Sequence, residues 1–157
     1  MTEKQFSANE RRRCREIMTR NVTTARREMS VREVARLMRD GDMGSLPVVE
    51  EGGKLVGIIT DRDIVVRVVA EDRGLETKVE DVMTREVFSV RADDFVFEAT
   101  RLMGDKQVRR IPVVNEADEL VGIIAMADVA LETEDELEIA ETLEEISSGA
   151  GFWKKDS

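Results

Sequence analysis

A chain of 157 residues with 41% apolar side chains is long enough for one packed domain, or for two small units that share a core. It holds no His, no Tyr and a single Cys, Cys14, which excludes Ser-His-Asp and Cys-His catalytic groups, His-ligated zinc and any intramolecular disulfide. The net charge of −10 is uneven: residues 1–40 hold eleven Lys/Arg against six Asp/Glu and the remainder is strongly acidic, a balance that does not suit general nucleic-acid binding. No segment approaches the roughly 20 apolar residues of a membrane-spanning helix. The first residues, "MTEKQFSANERRRCRE", lack the apolar core of a signal peptide, and the lone Cys fits a reducing compartment, so a cytoplasmic protein without membrane contact is expected.

In chain order, residues 1–13 form an N-terminal extension, and the basic run "RRRCR" at 11–15 reads as a solvated helix face. "NVTTA" is a short extended lead-in. "SVREVARLMRDG" opens with Ser30 and Glu33 as a capping box, places Val31, Val34, Ala35 and Met38 at helical spacing, and ends at Gly41 as a C-terminal cap. "LPVVE" and "KLVGIIT" are short strands joined by the hairpin signal "EEGG", and "DRDIVVRVVAE" is a second helix.

A linker over 71–78 then leads to a second copy of the same plan. Adding 65 to a position in the first copy lands on its counterpart without a gap. "IMT" (17–19) becomes "VMT" (82–84), "ARLM" becomes "TRLM", "LPVV" becomes "IPVV", and "LVGII" recurs unchanged. Register held over about fifty residues identifies a tandem duplication, with copies over 14–70 and 79–131. The Met residues 18, 38, 83 and 103 fall at matching places and read as core fillers. Each copy is a mixed α/β unit too small to bury its own sheet, so the expected fold is two repeats packed about a pseudo-twofold with clefts between them. Residues 132–147 read as an acidic amphipathic helix, and 148–157 as a flexible tail carrying Phe152 and Trp153.

Each copy runs through a "MT" lead-in, a helix, hydrophobic-Pro-Val-Val and a turn, then Gly-hydrophobic-hydrophobic-x-x-x-Asp. This pattern resembles a pair of CBS domains, the Bateman module, and the chain is similar to small stand-alone bacterial proteins built of little else. The resemblance implies α/β (α+β) units of β-α-β-β-α order and a homodimer, and adenosine-containing ligands between the repeats: AMP, ADP, ATP or S-adenosylmethionine. No further cofactor or metal is implied.

In "GIITDRD", Gly57 admits close approach of a ligand and Ile58 offers an aliphatic wall. Thr60 stands at a helix start that favours phosphate, and by the resemblance Asp63 accepts the ribose hydroxyls. The family's basic residues ahead of Pro in one repeat serve the ligand held by the other repeat's Asp. Here these are Arg109 and Arg110, and Val87 and Phe88 would flank the base. The second site pairs Asp128 and Ile123 with Ala125, Gly44 and Ser45, which supply no helix-start hydroxyl and no cation, so it reads as degraded. One intact site per chain is expected, and the arginine pair weighs against S-adenosylmethionine, which carries no phosphate.

Two functions follow from these residues: a nucleotide sensor, or a ligand-free scaffold acting through dimerisation and contacts with an unknown protein partner. Thr60 and Asp63 alone also read as a helix cap. The sequence holds no nucleophile-base pair, metal cluster or P-loop, and a non-enzyme is expected.

Overall fold

The computed structural model describes residues 11–132 and 143–146. Helix α1 (Cys14–Ile17), strand β1 (Ala25–Arg26), α2 (Val31–Gly41), β2 (Ser45–Val49), β3 (Leu55–Thr60) and α3 (Asp61–Ile64) come from the first repeat. A π-helical turn, Val65–Val69, follows. The second repeat supplies α4 (Val79–Val82), β4 (Val90–Arg91), α5 (Val96–Lys106), β5 (Arg110–Val114), β6 (Leu120–Ala125) and α6 (Met126–Glu132). The strands form two three-stranded sheets, β1-β2-β3 and β4-β5-β6, which is the mixed α/β plan expected from the duplication.

The chain divides into two compact units. The first, here the Asp63 unit, comprises Asn21–Val87 and Glu116–Leu120. The second, the Asp128 unit, takes its described residues from Met1–Arg20, Phe88–Asn115 and Val121–Ser157.

In the Asp63 unit, α2 starts where the Ser30 hydroxyl accepts the Glu33 N–H at 3.2 Å. The linker completes this start, because Thr77 and Leu75 carbonyls accept the N–H groups of Val31 and Arg32, which have no intrahelical partner. Val31, Val34 and Met38 face the core. The helix ends one residue beyond the expected cap: Asp42, at φ 50° and ψ 53°, takes the left-handed position, and Gly41 is the last helical residue. Asp tolerates this conformation better than most residues with a Cβ. Strands β2 and β3 pair antiparallel, with Leu46 opposite Ile59 and Val48 opposite Gly57, across a turn that holds Gly52 and Gly53 at φ near +87°. The expected second helix breaks into one α-turn and the π-helical turn, in which the Ala70 N–H reaches the Val65 carbonyl at 2.9 Å. Four Val among residues 65–69 crowd the preceding turn, and a wider turn relieves it.

In the Asp128 unit, β4 runs parallel to β5, and α5 begins where the Phe95 N–H donates to the Glu98 carboxylate at 3.1 Å. Ile111, Val113, Ile124, Ala99 and Met103 form its core together with Cys14. The basic run is therefore only in part a solvated face. Cys14 points inward, and the Arg13 guanidinium covers the Phe95 ring at 4.1 Å. Residues 143–146 are helical and Ile146 joins this core; the rest of the expected acidic helix and the Phe152/Trp153 tail lie outside the described residues. Among the described residues no helix is long and apolar enough to cross a membrane, and no three His, Cys, Asp or Glu side chains cluster as a metal site.

The compact units do not follow the covalent repeats. The second repeat's lead-in, with Val79, Val82 and Met83, packs into the core of the Asp63 unit, and its Thr84 pairs with Ile58 through two backbone hydrogen bonds of 2.9 and 2.8 Å. The first repeat's lead-in does the same in the Asp128 unit, where Thr19 pairs with Ile123 at 2.8 and 2.9 Å. Each crossing is made over a glycine. A Cβ on Gly57 would lie 2.8 Å from Met83 Sδ and 2.9 Å from the Thr84 carbonyl oxygen; on Gly122 it would meet Met18 Sδ at 2.6 Å and the Thr19 carbonyl oxygen at 2.9 Å.

Gly57→Ala should therefore force Met83 and Thr84 outward at a cost of about 1–3 kcal/mol, read as a melting temperature lower by roughly 3–10 °C. Gly74→Ala, where a Cβ meets nothing within 4 Å, should stay within about 0.5 kcal/mol of wild type. Equal melting temperatures for the two variants would contradict this account of the crossing.

Candidate functional site

Thr60 ends β3 in extended conformation and is the N-cap of α3. Its hydroxyl accepts the Asp63 N–H at 3.0 Å, and its own N–H donates to Asp63 Oδ2 at 3.0 Å, a reciprocal capping box. The Asp63 side chain turns inward and is only 8% exposed. A carboxylate at that depth needs hydrogen-bonded partners. Thr84 supplies one, its hydroxyl lying 3.2 Å from Oδ1 and 3.3 Å from Oδ2. Arg67 adds a cation, with Nε 3.9 Å from Oδ1 and Nη1 donating to the carbonyls of Val82 and Met83 at 3.1 Å each. The side chain's two oxygens offer about four acceptor positions, and the Thr60 N–H and Thr84 hydroxyl do not fill them.

Gly44 and Ser45 lie in this same unit. The Gly44 carbonyl accepts the Asp61 N–H at 2.8 Å, and Ser45 is the partner of Thr60 in the β2–β3 register. Ile58 has its backbone N–H and carbonyl committed to Thr84, so only its half-buried side chain is offered to a ligand. Val87 is half-buried in the unit, and the next residue, Phe88, belongs to the Asp128 unit, where the Lys106 ammonium covers its ring at 4.3 Å.

The Asp128 unit repeats the arrangement with fewer parts. Asp128 Oδ2 accepts the Ala125 N–H at 3.0 Å, but Ala125 has no hydroxyl to return. Asp128 is half-buried rather than buried, and Ile123 pairs with Thr19 as Ile58 pairs with Thr84. Arg109 and Arg110 are exposed in this unit, and the Arg109 carbonyl accepts the Met126 N–H at 2.8 Å.

The family model of the CBS domain matches residues 14–70 and 79–134. The chain belongs to the CBS domain family. The CBS domain-containing protein YhcV of Bacillus subtilis is 38% identical over 117 residues, which cover 74% of this chain and 82% of that protein. Among solved structures, the CBS domain pair of protein MJ0100, in complex with 5′-methylthioadenosine and S-adenosyl-L-methionine, is 30% identical with a TM-score of 0.67, covering 76% of this chain and 94% of that one. CBSX2 in complex with AMP is 26% identical with a TM-score of 0.67, covering 76% and 93%.

Within the CBS pair, the structure brings together Gly57, Ile58, Thr60, Asp63 and Val87 in one unit, and Phe88, Arg109 and Arg110 in the other. Gly57 is accounted for without a ligand, since its open side is filled by Met83 and Thr84. Two residues of the Asp63 cluster were missed in the sequence. Thr84 was visible only as the last letter of the repeated "MT" and served as a register mark. Arg67 has no repeat signal, because the position 65 residues on is Glu132. Cys14 is buried, and burial, with Asp94 and Glu98 nearby, pushes its thiol up to about 12. It therefore stays neutral at ordinary pH.

Two outcomes follow. Thr60→Ala should cost about 1 kcal/mol by removing a cap, whereas Ala125→Thr should gain about 0.5–1 kcal/mol by completing one, measured by denaturant unfolding. A destabilised Ala125→Thr variant would show that the two helix starts are not equivalent. A thiol reagent at pH 8 should label Cys14 only at the rate of unfolding; rapid labelling of the native protein would contradict its burial.

Proposed function

We propose that this CBS protein is a non-catalytic, cytoplasmic regulatory module whose Thr60–Asp63–Thr84 cluster holds the ribose of an adenine nucleotide, AMP, ADP or ATP, at one site per chain. The buried Asp63 carboxylate carries the reading. Its orientation is fixed by the Thr60 N–H and the Thr84 hydroxyl, yet it keeps acceptor capacity for ribose hydroxyls. Hydrogen bonds to such a charged group are worth roughly 1.5–3 kcal/mol each. The Thr60 hydroxyl accepts from Asp63 and keeps its proton for a ligand oxygen. Ile58 and Val87 offer aliphatic surface, Phe88 an aromatic one, and Arg109 and Arg110 are assigned the phosphate charge.

Two solved CBS neighbours hold adenosine-containing ligands, which supports the ligand class. S-adenosylmethionine is the less favoured candidate, because it makes no use of the arginine pair. The proposal includes a homodimer. Val65, Val66 and Val69 are 58%, 46% and 62% exposed on the π-helical turn, an apolar face suited to burial against a second copy. A ligand-free scaffold is the second reading, and one observation favours it: Thr60 and Asp63 already satisfy each other as a helix cap.

Calorimetry and thermal unfolding with AMP, ADP, ATP and S-adenosylmethionine separate the two. A nucleotide at a hundred times its dissociation constant should stabilise the wild type by about 2.7 kcal/mol, a shift of several degrees, with a stoichiometry of one per chain. Asp63→Asn should abolish the shift. Replacing both Arg109 and Arg110 by Ala should weaken ATP at least about tenfold while sparing adenosine. If no ligand shifts the wild type and Asp63→Asn merely lowers the melting temperature, the scaffold reading holds instead.

A further inference from the structure

Arg67 stands outside the capping box and makes the contacts that join the π-helical turn to the second repeat's lead-in. Its Nη1 donates to the Val82 and Met83 carbonyls, each at 3.1 Å. These carbonyls lie at the C-terminal end of α4, where backbone C=O groups lack intrahelical partners. The next residue is Thr84, whose main chain pairs with Ile58 and whose hydroxyl reaches Asp63. On its other side the same guanidinium lies 3.9 Å from the Asp63 carboxylate. One side chain thus touches both the segment that carries the Thr84 hydroxyl and the group that hydroxyl serves. The Arg67 side chain is 49% exposed, so the ion pair itself is screened and weak. Its weight lies in the two carbonyl bonds, which a planar guanidinium makes while keeping Nε toward Asp63. The position 65 residues on holds Glu132 in place of a guanidinium.

We propose that Arg67 is a positioning residue: it pins α4 and Met83 so that Thr84 stays on the Asp63 carboxylate, and thereby sets the geometry in which Asp63 accepts a ribose diol. The ligand half of this proposal rests on the adenosine reading of Asp63; the placement half does not.

The full chain is compared as wild type, Arg67→Lys and Arg67→Gln. In the first arm, without ligand, amide hydrogen exchange is followed at Ile58 and Thr84, with Thr19 and Ile123, the equivalent pair of the other unit, as internal control. Arg67→Gln should speed exchange at Ile58 and Thr84 about tenfold and leave Thr19 and Ile123 unchanged, with Arg67→Lys between. In the second arm, calorimetry gives dissociation constants for AMP and 2′-deoxy-AMP. Arg67→Gln should weaken AMP about tenfold and 2′-deoxy-AMP less than threefold, so that selectivity for the ribose collapses. Unchanged exchange at Ile58 and Thr84 overturns the proposal. Uniform acceleration at all four amides, with both nucleotides weakened equally, also overturns it, since that is plain destabilisation. Faster local exchange with unaltered ribose selectivity overturns the ligand half. If the wild type binds neither these nucleotides nor ADP or ATP, the adenosine reading of Asp63 fails, and the exchange arm alone upholds or overturns the placement by Arg67.

Discussion

The backbone pairs Ile58–Thr84 and Thr19–Ile123 are the bonds on which the rest of the structure depends. Each sheet ends in a strand, β3 or β6, with one edge free of its neighbour in the sheet. Its backbone N–H and C=O groups need partners, and a repeat of this size has no strand left to give. The chain meets the need by bringing the other repeat's lead-in to that edge, together with Val79, Val82 and Met83 for one core and Cys14 for the other. The glycine in both copies of "LVGII" follows from sterics. A methyl group there would stand under 3 Å from a Met sulfur and a carbonyl oxygen.

That crossing also delivers the chemistry. Thr84 arrives at Ile58 as a structural residue, and the same placement sets its hydroxyl against Asp63. An uncompensated carboxylate at this depth would cost several kcal/mol, so the Thr60 N–H and the Thr84 hydroxyl are needed for folding whether or not a ligand comes. Capping by Asp63 therefore does not by itself exclude a ligand. The bonds that cap the helix also hold the carboxylate in one orientation and leave lone pairs unused, which is the preorganisation a hydroxyl-bearing ligand requires.

What could be read from the sequence was local or repeated. The Ser30 start, the "EEGG" hairpin and the two short strands follow from side-chain chemistry within a few residues, and the structure has all of them. Of the four Met residues at matching places, 38, 83 and 103 are buried and Met18 is partly buried against the core of the Asp128 unit. The exchange of lead-ins was not legible, because "IMT" and "VMT" mark register equally well whichever sheet they join. Gly57 illustrates the limit: glycine announces that something approaches closely, but not whether it is a ligand or the chain itself. The π-helical turn and the cap at Asp42 rather than Gly41 depend on packing and backbone strain that a periodicity cannot encode.

Comparison of the two copies separates folding from function. The positions at which they agree, Gly57 and Gly122, Met83 and Met18, Thr84 and Thr19, Asp63 and Asp128, all take part in the crossing or the helix start. Either unit would lose structure without them. Where they differ, Thr60 against Ala125 decides whether the Asp main-chain N–H is capped by a hydroxyl, and just beyond it the first copy takes a π-helical turn while α6 runs on as an α-helix. Among the described residues Asp128 receives its hydrogen bond from Ala125 and stays half-exposed, whereas Asp63 is drawn inward by three neighbours. A duplication supplies two equivalent helix starts; the Thr84 hydroxyl and the Arg67 guanidinium give the Asp63 carboxylate more polar neighbours, while Asp128 keeps a partial cap.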